Sequence, residues 1–94
     1  MPMNPEPDYE IEVTYLNVPY LVTCNLKEHG YYNLIPKYQD TPSYFEVVDD
    51  PSFEHFTIID IDTNLEVIPE REPEVMLIAI EVLRNLYWDQ TLNY

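Results

Sequence analysis

From Tyr9 onward the chain alternates, and this period of two constrains its fold more than any other feature. Tyr9, Ile11, Val13 and Tyr15 fall on one side, with Glu10, Glu12 and Thr14 between them. Successive side chains of a strand point to opposite faces, so this is the pattern of a half-buried β-strand. Asn17-Val18-Pro19 interrupts it, after which Tyr20, Val22, Cys24 and Leu26 alternate with Leu21, Thr23 and Asn25. Two alternating runs about a short break predict a β-hairpin. Pro19 has no N–H for a ladder and is expected at the turn or at the first residue of the second strand.

The β pattern continues less regularly. Gly30, the only glycine, is expected to supply a turn before a short strand over residues 31–35. Pro36 and Pro42 bracket a loop, and residues 44–48 read as a strand closed by the turn signal Asp49-Asp50-Pro51-Ser52. Residues 53–61 are the most β-prone stretch, with His55 as a sheet histidine alternating with Phe53 and Thr57. Asp62-Thr63-Asn64 turns the chain into a short partner strand over 65–68. Pro73 suits the first turn of a helix, and Glu70, Glu72 and Glu74 place negative charge at the favourable end of its dipole. The helix is expected over 73–91. This order predicts an α+β fold: a single antiparallel β-sheet of four to six strands with one C-terminal helix packed on a face. Residues 9–94 are expected to form one domain behind an extended, acidic, proline-rich arm, residues 1–8.

Charge narrows the function. Four lysines and arginines face eighteen aspartates and glutamates, a net charge of −14. Pairing within the chain cannot neutralise such an excess. Direct contact with nucleic acid or with an anionic membrane needs basic patches and is not expected. Cys24 is the only cysteine, which rules out an internal disulfide and gives no sign of an oxidising compartment. The N-terminal residues lack the basic and apolar regions of a signal peptide, and no apolar run approaches the roughly 20 residues that span a bilayer. The expected location is cytoplasmic.

Catalytic and metal constellations fail on inspection. Asp60, Asp62 and Asn64 match the first positions of a calcium loop. Leu65 then stands where the sharp turn needs glycine, and Arg71 where a bidentate glutamate should be. Cys24, His29 and His55 have no spacing that suggests a nucleophile with its base, and one glycine cannot build a phosphate-cradling loop. No enzymatic activity, metal or cofactor is expected.

Three features point to binding instead. The first is acidic: Glu6, Asp8, Glu10 and Glu12 form one line if the arm continues the first strand. A second concentration comprises Glu46, Asp49, Asp50, Glu54, Asp60, Asp62, Glu66, Glu70, Glu72 and Glu74, with Arg71 the only base among them. Carboxylates held at intervals of several ångströms can stand in for phosphates. The second feature is nine tyrosines, too many for so small a core to bury with every hydroxyl satisfied. Tyr31, Tyr32 and Tyr38 are expected to be partly exposed, available to an interface.

The third is the helix. Val75, Met76, Ala79, Leu83, Leu86 and Tyr87 share a core face, with Glu74, Glu81, Arg84 and Asn85 opposite. Leu77, Ile78 and Trp88 fall close to that polar side and are expected at a contact with a partner or a second copy.

The composition, though no motif, resembles that of phage-encoded inhibitors that imitate nucleic acid and of immunity proteins that neutralise basic nucleases. The leading expectation is therefore a non-catalytic inhibitor whose carboxylates occupy a basic, nucleic-acid-binding surface of a partner protein. The alternative is a generic adaptor or homodimeric module whose acidity serves solubility.

Overall fold

The alternation beginning at Tyr9 becomes two strands, β1 (Tyr9–Tyr15) and β2 (Val18–Glu28), paired antiparallel from Tyr15↔Val18 to Tyr9↔Cys24. They belong to a computed structural model that describes residues 6–36 and 44–92. The turn between them is Leu16-Asn17, with φ of 51° and 66°. Two successive positive φ angles are what a type I′ hairpin turn requires; asparagine tolerates them readily and leucine adopts them only at a cost. The turn thus begins at Leu16 rather than Asn17. Pro19 becomes the second residue of β2, opposite Thr14, and its carbonyl accepts the Ile61 N–H at 3.0 Å.

Strand β2 is also paired on its other side. With β3 (Tyr31–Ile35), β4 (Tyr44–Asp49), β5 (Ser52–Asp60) and β6 (Leu65–Val67), the chain has a four-stranded antiparallel sheet, β1-β2-β5-β6, and a separate β3-β4 ribbon. The helix α1 (Pro73–Leu92) follows a single 3-10 turn, Pro69–Arg71. The fold is α+β, as the order of elements predicts, but two of the six strands leave the sheet.

The ribbon continues the two central strands. The last β2-β5 pair is Glu28↔Ser52 and the first ribbon pair is Tyr31↔Asp49. Between them lie His29-Gly30 on one strand and Asp50-Pro51 on the other. Pro51 cannot donate to a ladder, so pairing breaks there and the ribbon bends away.

Strand β5 contains a bulge that the sequence pattern conceals. Thr23 pairs with Thr57 and Asn25 with Glu54, so His55 and Phe56 together stand opposite Cys24. His55 has a φ of 61° and is exposed. It is therefore a bulge residue, and it does not alternate in phase with Phe53 and Thr57. The extra residue shifts the phase so that Phe53, Phe56 and Ile58 all lie on the face toward α1. Phe53 there meets Tyr9 edge to face at 5.5 Å.

Helix and sheet bury one another. Val75, Ala79, Leu83 and Tyr87 recur every four residues and form the buried stripe of α1. Val13, Tyr20, Val22, Cys24 and Ile58 are the buried residues of the sheet. The helix starts where expected: Met76 N–H bonds to the Glu72 carbonyl at 3.0 Å, with Pro73 and Glu74 in the first turn. No helix among the described residues is long and apolar enough to cross a membrane.

Candidate functional site

The helix covers one face of the sheet and leaves the other open, and cross-strand register assigns residues to that open face. Glu12 pairs with Leu21, Leu21 with Ile59, and Ile59 with Glu66, one row across all four strands. The next rows carry Glu10, Thr23 and Thr57, then Asn25 and Glu54. Strands lie about 4.8 Å apart, so Glu12 and Glu66, on the two outer strands, stand roughly 14 Å from each other. Glu10 and Glu12 follow one another at roughly 6.6 Å along β1. Half-buried Leu21, Thr23, Thr57 and Ile59 fill the middle. The face carries Glu10 and Glu12 on outer strand β1, Glu66 on outer strand β6 and Glu54 near one end of inner strand β5, around a neutral patch of Leu21, Thr23, Thr57 and Ile59.

Those carboxylates are unneutralised. Among the described residues, no lysine or arginine comes within ion-pairing distance of an aspartate or glutamate. The one such contact is His55 Nε2 to Glu54 Oε2 at 3.7 Å, between exposed side chains.

The remaining acidic residues are distributed elsewhere. Glu46, Asp49 and Asp50 lie on or beside β4 of the ribbon. Glu70, Glu72 and Glu74 gather at the entry to α1, where the dipole favours them. Asp60 builds a turn: its Oδ1 accepts the N–H groups of Asp62 (2.9 Å) and Thr63 (3.2 Å). Its carbonyl accepts that of Asn64, whose φ is 59°. These are the bonds of an Asx-type turn and account for the Asp60 carboxylate, whereas Asp62 contributes only its N–H. No group of three His, Cys, Asp or Glu that could hold a metal occurs among the described residues. The N-terminal line of acids shortens to Glu10 and Glu12, because Asp8 curls onto β2. Its N–H donates to Asn25 Oδ1 at 3.1 Å, and its Oδ2 accepts the Leu26 N–H at 2.8 Å.

Cys24 is buried under the helix, and burial, with a smaller contribution from Asp8, pushes its thiol up to about 11. At neutral pH it is a protonated, inaccessible thiol rather than a nucleophile. His29 serves the fold. Its Nδ1 lies 3.1 Å from the Tyr87 hydroxyl, which also accepts the Gly30 N–H at 3.0 Å.

These contacts form a latch at the root of the ribbon. Trp88 Nε1–H donates to Asp50 Oδ1 at 3.2 Å, and the Trp88 ring meets Tyr32 edge to face at 5.9 Å and Tyr87 at 5.0 Å. A Cβ on Gly30 would lie 2.6 Å from the Trp88 ring and 3.0 Å from Pro51. Gly30 thus acts by allowing close approach, and its φ is not positive. Sequence reasoning did not find this latch. Its one signal was the sole glycine preceding Tyr31-Tyr32, with Tyr87-Trp88 adjacent near the end of the helix.

The expected aromatic and apolar contacts divide accordingly. Tyr31 is exposed, Tyr32 is half-buried between Trp88 and Phe45, and Tyr38 lies outside the described residues. Ile78 packs against the core and Trp88 holds the ribbon, so of Leu77, Ile78 and Trp88 only Leu77, 68% exposed, projects freely. The chain matches no protein-family model, no curated protein and no solved structure against which it was compared.

Proposed function

We propose that this chain is a non-catalytic binding protein, an inhibitor that occupies a basic, nucleic-acid-binding surface of another protein in place of the nucleic acid. The open sheet face carries the proposal. It presents Glu10, Glu12, Glu54 and Glu66 on a rigid, helix-backed surface, with no lysine or arginine paired to them among the described residues. The roughly 14 Å between its outer carboxylates approaches the ~12 Å width of a B-DNA major groove, whose walls are two rows of phosphates. The sheet fixes the backbone positions of these residues, so a basic cleft meets carboxylates already arrayed and only their exposed side chains order on binding.

The test is capture with and without a competitor. The immobilised chain is exposed to lysate treated with nuclease, and bound proteins are challenged with duplex DNA. The reading expects captured proteins that bind nucleic acid, that duplex DNA displaces, and that a Glu10→Lys, Glu12→Lys, Glu66→Lys chain fails to retain. A captured set indifferent to both DNA and charge reversal contradicts it, and returns the acidity to a role in solubility.

A further inference from the structure

Strand β1 is an outer strand of the sheet, and the hairpin fixes which of its backbone groups face outward. The two-residue Leu16-Asn17 turn makes Tyr15 and Val18 the first hydrogen-bonded pair, and every second pair follows: Val13 with Tyr20, Ile11 with Val22, Tyr9 with Cys24. The far side of β2 agrees with this phase, because the Pro19 carbonyl points away from β1 to accept the Ile61 N–H. Glu10, Glu12 and Thr14 therefore turn their N–H and C=O groups away from β2, and no described backbone group beyond β2 bonds to them. Asp8, immediately before β1, is bonded to Asn25 and Leu26 on the inner side. An open edge is a template for another strand unless it is short, bulged or interrupted by proline or lysine. The opposite edge, β6, is three residues long. β1 has seven residues in unbroken register and contains neither proline nor lysine.

The residues with outward backbone groups also select the occupant. Glu10 and Glu12 are exposed on the open face of the sheet. A strand laid along this edge sets its own residues directly opposite them on that face, with Cβ atoms about 5 Å away. The β1 of a second copy would bring glutamate against glutamate, with another −14 charges behind it. Lysine or arginine at those positions meets the opposite sign. We infer that the β1 edge takes up an extended basic segment of the partner as a fifth, antiparallel strand, its lysines or arginines at alternate positions opposite Glu10 and Glu12. Antiparallel addition continues the pairing of every strand in the sheet. The inference rests on the reading that the partner is basic, and it adds the form of the contact. Main-chain bonds hold the segment, and the glutamates choose its sequence.

Three peptides of equal charge test it: a Lys-Ser repeat of about twelve residues, the same repeat N-methylated on the backbone of every lysine, and the same repeat N-methylated on every serine. In the inferred strand the lysines lie opposite Glu10 and Glu12, so lysine N–H groups donate to β1 and serine N–H groups point away. The lysine-methylated peptide is expected to bind about tenfold or more weakly than the parent, having lost its donors to the Glu10, Glu12 and Thr14 carbonyls. The serine-methylated peptide should stay within about threefold of the parent. Amide exchange at Glu10, Glu12 and Thr14, fast in the free chain, should slow by about tenfold or more when the parent peptide binds. Equal affinity for the three peptides, or exchange at these amides untouched by the bound peptide, overturns the inference while leaving the acidic-surface proposal standing. Weakening by serine methylation alone overturns the antiparallel alignment. Slow exchange at these amides in the free chain means that the edge is already closed, by a second copy if dilution restores fast exchange and by the chain itself if it does not; either result overturns the inference. Absence of binding to every peptide sinks both readings.

Discussion

Among the described residues, Leu16 is the one with a positive φ that is neither asparagine nor histidine. It is 77% exposed, with a φ of 51° that an L-residue bearing a Cβ adopts at a cost of about 1–2 kcal/mol. Asparagine bears that conformation better, and its exposed leucine side chain contributes no burial to lose. Leu16→Asn is expected to stabilise the fold by about 1 kcal/mol in denaturant unfolding. A loss of stability would mean that the leucine has a contact the turn geometry does not reveal. Cys24 makes a prediction about pH. Its thiol, ordinarily near 9, is held up to about 11 by burial and, less, by Asp8, so the folded state keeps a proton that the unfolded state releases first. The stabilisation is fully present below about pH 9 and is lost as pH rises toward 11. Burial also raises Tyr9 and Tyr20, which extend the same trend to higher pH. Melting temperature should therefore fall from pH 9 to 11, and Cys24→Ala should flatten that fall relative to its own value at pH 7. An equally steep fall in the variant would assign the trend to the tyrosines or to charge repulsion.

At the scale of elements, the ribbon depends on a few aromatic contacts with α1 rather than on the core. Trp88→Ala removes the bond to Asp50 and the ring contacts with Tyr32 and Tyr87. Amide exchange should accelerate by about tenfold to a hundredfold at Leu34, Phe45 and Val47 while Val22 and Ile58 stay protected. Uniform acceleration would place Trp88 in the global core. The sheet and helix were legible because burial repeats with the period of each element. Val13, Tyr20, Val22 and Ile58 point inward among polar neighbours, and Val75, Ala79, Leu83 and Tyr87 recur once per turn. The ribbon's separation was not legible. Residues 44–48 carry apolar residues on both faces, and pairing breaks where Pro51 lacks an N–H for the ladder and Gly30 admits the ring of Trp88, a residue distant in sequence. The bulge at His55 was hidden for a related reason: a phase shift preserves apolar content while reassigning faces. Of the candidate acids, Glu10, Glu12, Glu54 and Glu66 could be grouped only once register was known. Asp60 turned out to serve its own turn.

The whole molecule combines an acidic sheet face, a helix that rigidifies it from behind, and an apolar ribbon extending beyond both. Its net charge of −14 would attract any polycation over roughly 8 Å at physiological ionic strength, so attraction alone identifies no site. Location is the discriminating quantity. The direct measurement is the affinity for the Lys-Ser repeat peptide as a function of salt, for three chains: native, Glu12→Lys with Glu66→Lys on the open sheet face, and Glu74→Lys with Glu81→Lys on the exposed side of α1. The two variants change net charge equally. Native affinity is expected to fall steeply with salt; the sheet-face variant should bind about tenfold more weakly with a flatter salt slope, and the helix variant should stay within about twofold of native. Equal losses in both variants, or no loss in the sheet-face variant, would contradict a localised acidic binding face.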